Sequence, residues 1–189
     1  MKKTITVLCS TITLIASLLF QQTAFGDNYN QGIYELNRGE FKAAIAEFEP
    51  LLEEGYPPAQ YQMGLIHLNG WGVKKDPSKG MAFFNLAAEQ NYPDALFELS
   101  VIYSEGKLVK KDVKKAFELT KKAADKNLAS AQFNVAVMYH SGMGTYIDYR
   151  NAAVYYEKAA QQNYALAQFN LALMFSEGKG VDRSTEKSY

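Results

Sequence analysis

Most side-chain chemistry at neutral pH runs through histidine, cysteine or paired carboxylates, and this 189-residue chain has two histidines, His67 and His140, and one cysteine, Cys9. Either histidine could act as a general base or bind a metal. They stand 73 positions apart, with no clustered carboxylate partner in the sequence. No Gly-x-Ser-x-Gly elbow, no Gly-Lys-Ser/Thr phosphate loop and no His-Glu-x-x-His pair occurs. One cysteine also excludes an internal disulfide framework and a Cys-rich metal site. The expectation is therefore a chain with no catalytic residue, no metal ligand set and no cofactor. What remains is recognition chemistry. Tyr61, Phe97, Phe133 and Phe169 form an evenly spaced aromatic row, and Gln62, Glu98, Asn134 and Asn170 form a polar row beside it. Asn69, Glu105, Ser141 and Glu177 form a rim. Amides and carboxylates in line can hydrogen-bond an extended or helical peptide, so the aromatic and polar rows are the candidate partner-binding groove. The alternatives are packing between neighbouring helix pairs for the aromatic row and solvated surface for the polar one.

A repeat of 36 residues sets these rows. Ala59, Ala95, Ala131 and Ala167 recur at that interval, as do Gly70, Gly106, Gly142 and Gly178, and Asp76, Asp112 and Asp148. Such self-similarity marks a stacked-repeat architecture. Within a unit, Ala59, Met63, Ile66, His67 and Gly70 fall on one helical face. Glycine then ends the first helix by taking the left-handed position after it, and Gly72, Gly144 and Gly180 add a second flexible point, with Leu108 the exception. Asp76, Asp112 and Asp148 are expected N-caps of the second helix, the first followed by Pro77. Small residues face each other across the pair: Gly64, Ser100, Ala136 and Ala172 against Gly80, Ala116 and Ala152. His67 fills a slot held by Tyr103, Tyr139 and Phe175 elsewhere, which predicts a core role, whereas His140 is expected at an exposed helix end. Trp71 sits on the loop, for contact with a partner or for packing on the adjacent turn.

The pattern Ala59-x3-Met63-Gly64-x2-His67-x2-Gly70-x-Gly72-Val73-x2-Asp76, continued by Phe83 and Ala87-Ala88, resembles the Sel1-like repeat (SLR), a branch of the tetratricopeptide (TPR) superfamily. The repeats are read as 58–93, 94–129 and 130–165, with a partial fourth at 166–189. Residues 27–57, through Gly32, Gly39, Phe41, Ala44, Phe48 and Leu51, resemble a TPR with a tighter turn, and there Tyr29, Asn30, Ile33 and Asn37 would extend the groove. The resemblance implies an all-α, right-handed superhelical solenoid of stacked antiparallel helix pairs, acting as a non-enzymatic scaffold for another protein or peptide. It also implies roles in envelope assembly, exopolysaccharide export or host-cell entry. The alternative is a hydrolase acting on peptidoglycan or β-lactams. Cysteine-rich relatives are credited with β-lactam chemistry, but the repeats here hold no cysteine to staple their hairpins.

Residues 1–26 read as a secretory signal peptide, with Lys2 and Lys3 before an apolar stretch and Ala24-Phe25-Gly26 as the cleavage site. An uncut anchor is the alternative. Export to the periplasm or outside the cell is the expectation, and Cys9 would leave with the signal. Lys+Arg and Asp+Glu balance at 20 each, which argues against nucleic acid as a partner. The balance is global and not local: residues 27–56 are acidic, while Lys107 to Lys126 hold eight lysines against three acids. Lys110, Lys111, Lys114 and Lys115 could meet an anionic envelope surface, or form a solvated face. The short fourth unit is expected to leave Leu171, Met174 and Phe175 uncovered, inviting self-association through that end.

Overall fold

A computed structural model describes residues 26–181. Every regular element among them is an α-helix. A helix that includes residues 26–37 (α1) precedes α2 (Phe41–Glu53), α3 (Pro57–Asn69), α4 (Pro77–Glu89), α5 (Pro93–Glu105), α6 (Val113–Asp125), α7 (Ala129–Ser141), α8 (Tyr149–Gln161) and α9 (Ala165–Glu177). The signal peptide reading, apart from Gly26, and residues 182–189 lie outside the described residues.

Capping explains the repeated length. Asp76, Asp112 and Asp148 each accept a backbone N–H three residues on, at 2.9, 2.9 and 3.0 Å, satisfying one of the donors a helix start leaves open. Gly70, Gly106, Gly142 and Gly178 close the first helices with φ between 66° and 79°. The second helices end differently. Asn91, Asn127 and Asn163 turn the chain toward the next pair with φ of 60°, 67° and 62°, the left-handed region that asparagine tolerates better than other residues with a Cβ.

The helices pack as stacked pairs, α3 on α4, α5 on α6 and α7 on α8, and each second helix then packs on the next first helix. Small residues set the spacing. A Cβ on Gly64 would lie 2.4 Å from the Phe84 ring, and one on Gly32 would lie equally close to Phe48, so α1 and α2 repeat the α3–α4 contact. Phe48 and Phe84 are fully buried as a result. The core continues through Leu99 and Ile102 to Val135, Tyr139, Tyr155, Tyr156 and Met174.

The second loop glycines do more than bend. A Cβ on Gly144 would meet the Val113 carbonyl oxygen at 2.1 Å, and one on Gly180 would meet Tyr149 backbone at 2.3 Å. Each loop is seated on the start of the preceding pair's second helix. Trp71 belongs to the same contact, stacked on Phe41 with ring centroids 5.9 Å apart and planes 11° from parallel.

Candidate partner-binding face

The first helix of each pair buries its Ala59-type and Met63-type positions and leaves the neighbouring face partly open. In α3, Met63, Ile66 and His67 are buried, Tyr61 and Gln62 are half-buried and Asn69 is exposed. The aromatic row does not form a continuous open stripe. Tyr61 lies between Phe84 and Tyr92, at centroid distances of 5.7 and 5.6 Å. Phe133 lies between Tyr156 and Tyr164, at 5.8 and 5.1 Å. Phe97 is half-buried against the core cluster that runs from α5 to α9. Phe169 alone is open, 67% exposed.

Tyr92 and Tyr164 complete these clusters from the turns between pairs, and Tyr56 does the same for Tyr29, whose ring lies 5.7 Å away. The signal for them was a further recurrence at the 36-residue interval, Tyr56, Tyr92 and Tyr164 with Leu128 between.

The polar row is half-buried in each of its four positions. Gln62 Nε2 donates to the Tyr29 hydroxyl at 3.4 Å, which ties α3 to α1. Asn134 Nδ2 donates to the Ser130 carbonyl at 2.8 Å. Glu98 is the member under electrostatic stress: burial, and then the nearby Asp94, push its carboxyl above the usual range. No lysine or arginine among the described residues forms an ion pair with Glu98 or Asp94. Burial together with Glu98 and Asp94 pushes the Tyr61 phenol up, and burial and Asp94 do the same to Tyr92. Tyr29, Tyr61, Gln62, Tyr92, Asp94 and Glu98 thus form one aromatic and anionic surface across three helix pairs. The rim is occupied locally, with Glu105 paired to Lys107 at 3.2 Å and Glu177 to Lys179 at 2.8 Å.

The two histidines lie in separate ring stacks. His67 is 6% exposed and stacks on Phe83 at 5.6 Å, its Nδ1 buried without a hydrogen-bond partner among the described residues. His140 is half-buried, contrary to its expected exposure, because Tyr149 and Tyr156 pack edge-on to its ring at 5.1 and 6.4 Å. At α9 the exposed set also differs from expectation. Met174 is buried against α8, while Leu171 and Phe175 are half-buried, and the open side chains are Leu166, Phe169 and Leu173.

The same stacked helix pairs occur in solved structures. A Sel1 repeat protein from Oxalobacter formigenes superposes with a TM-score of 0.79 at 26% identity, over 85% of this chain and 66% of that one. The uropathogenic Escherichia coli protein c5321, described as a protective antigen with an SLR fold, gives 0.76 at 30% identity, over 91% of this chain and 40% of that one. The chain therefore spans about two thirds of the first protein and two fifths of the second. Helicobacter pylori cysteine rich protein B, at 21% identity and 0.52, shares the fold over 65% of this chain and 93% of its own. No curated protein is significantly similar. The right-handed superhelical solenoid of antiparallel helix pairs expected from the repeat is the architecture found. Sel1 repeat proteins are protein-interaction scaffolds. The Sel1 repeat model matches residues 57–92, 93–128, 129–164 and 165–189 in unbroken succession, and with the helix pairs built as described, this chain belongs to the Sel1 repeat family.

Proposed function

We propose that this chain is a non-enzymatic scaffold, exported to the periplasm or beyond the cell, that holds a peptide or protein segment along the face lined by its first helices. Stacked repeats curve, and the curvature offers an extended surface to such a segment. The observation that carries the reading is Glu98, a half-buried carboxylate with a raised pKa and no ion-pair partner among the described residues. A charge held in that state costs stability, and a cationic group supplied by a partner would relieve the cost. Gln62, Asn134 and Asn170 extend a line of polar groups in both directions along the repeat, suited to main-chain contacts with a bound segment. Export is supported by the reading of residues 1–26.

The test is crosslinking and affinity capture from the envelope fraction with the wild-type chain and with Glu98→Ala, Asn134→Ala and Asn170→Ala combined. A specific partner should be retained by the wild type and lost by the triple variant. Equal capture by both would remove the groove reading.

A further inference from the structure

A second surface lies on the edge formed by the loops after the first helices. Four lysines gather there at the start of α6, namely Lys110, Lys111, Lys114 and Lys115, all exposed. None is in an ion pair among the described residues, whereas the nearby Lys107 is paired with Glu105. Lys115 is held in place, its ammonium 2.7 Å from the Tyr103 hydroxyl and 4.0 Å from that ring's centroid. Together with Val109, Lys110 and Lys111 these two residues line an open depression of about 550 Å³. Asp112 also lines it, but its carboxylate already caps α6 through the Lys115 N–H.

The next loop brings apolar groups to the same place. Gly144 approaches the Val113 carbonyl so closely that the 142–148 loop must rest on the first turn of α6, beside the lysines. In that loop Tyr146 and Ile147 replace the lysine pairs Lys74-Lys75 and Lys110-Lys111 of the preceding repeats. Tyr146 is 71% exposed, Ile147 56% and Met143 45%. Apolar side chains gathered in solvent mark an interaction site.

We propose that this edge, with Tyr146 and Ile147 flanked by Lys110, Lys111, Lys114 and Lys115, docks the protein onto the surface of an anionic lipid bilayer. Lysines near such a surface are drawn to its headgroups. An aromatic ring with a polar tip and a branched aliphatic chain suit the boundary between headgroups and acyl chains. The bilayer is favoured because it meets both halves of this edge at once, its headgroups the lysines and its headgroup–acyl boundary the protruding Tyr146 and Ile147. The inference stands independently of the groove reading, since it uses none of the same residues.

Vesicle co-sedimentation of the full-length chain tests it, with phosphatidylcholine alone and with phosphatidylcholine plus phosphatidylglycerol. Three proteins are compared: wild type, Tyr146→Ser/Ile147→Ser, and Lys110→Gln/Lys111→Gln/Lys114→Gln. The N-terminal apolar stretch is common to all three, so differences among them report on this edge. Circular dichroism checks that each keeps its helix content. Wild type should partition onto the anionic vesicles. The lysine variant should bind less well by about fivefold for each lysine removed, and the Tyr146/Ile147 variant by at least about tenfold. Wild-type failure to bind, or equal binding by all three proteins, would overturn the proposal. Loss confined to the lysine variant would overturn it as well, since Tyr146 and Ile147 would then take no part in the docking.

Discussion

His67 occupies a position that tyrosine holds in the next two repeats, and the difference has a measurable cost. Tyr139 stacks on Tyr155 at 6.0 Å much as His67 stacks on Phe83, but an imidazole adds a ring nitrogen that finds no partner in this pocket. Burial lowers the His67 pKa, the positive charge of Lys79 lowers it further, and Asp76 opposes them. The unfolded chain therefore binds a proton at this residue more readily than the folded one does. Stability is unaffected by His67 above the ordinary histidine pKa of about 6.5, and it falls as pH drops from there toward the depressed folded value. His67→Tyr removes the titration while keeping the stack. Urea midpoints measured at pH 7.5 and pH 5 should show a smaller acid loss for the variant than for wild type. Parallel losses would mean that the acid sensitivity comes from the carboxylates alone.

At the scale of elements, the turns carry information that helix periodicity does not. Gly39 and Gly144 both have strongly positive φ, +78° and +73°, yet an added Cβ at Gly39 meets nothing within 4 Å, whereas at Gly144 it meets the Val113 backbone. Gly39→Ala should cost only the conformational penalty, about 1–2 kcal/mol. Gly144→Ala should cost that and more, because a backbone carbonyl in a capped helix start cannot swing aside like a side chain. Chemical denaturation of the two variants isolates the difference, and equal costs would show that the loop moves off α6 freely. The comparison also shows how much was legible beforehand. The caps at Asp76, Asp112 and Asp148, the helix-ending glycines and the close approach of Gly80 to Gly64 all follow from local spacing, and they stand where the repeat places them. Which of two packed surfaces an aromatic faces does not follow from spacing. Tyr61 and Phe133 share a helix position with Phe169, but only a following turn tyrosine, Tyr92 or Tyr164, closes over the first two. The His140 environment was hidden for the same reason, since Tyr149 and Tyr156 reach it from the second helix of the pair. Asp94, which helps raise the Glu98 pKa, was likewise missed, because its influence depends on how deeply α5 is buried.

For the molecule as a whole, the main contacts run between neighbouring helices, α3 with α4, α4 with α5, and so on to α8 with α9. Stability in such an array is close to a sum of local terms and nearest-neighbour interfaces, so it need not be uniform along the chain. Helices α5 to α8 are flanked on both sides by described helices, and most of their apolar positions enter the shared core. Helix α9 buries Ala167 and Met174 against α8 but leaves Leu166, Phe169 and Leu173 largely in solvent. Its amides should therefore open by local fraying at a lower free energy than those of α7, which sits between α6 and α8. Native-state hydrogen exchange should give α9 the earliest exchange among α5 to α9, with α7 near the global limit. Equal protection of α7 and α9 in dilute solution would show that the array unfolds as one unit and that nearest-neighbour additivity fails. Repeating the measurement at increasing protein concentration separates fraying from self-association. If Leu166, Phe169 and Leu173 seat on a second copy, protection of α9 rises with concentration while that of α7 stays fixed. If α9 is only loosely held, neither changes.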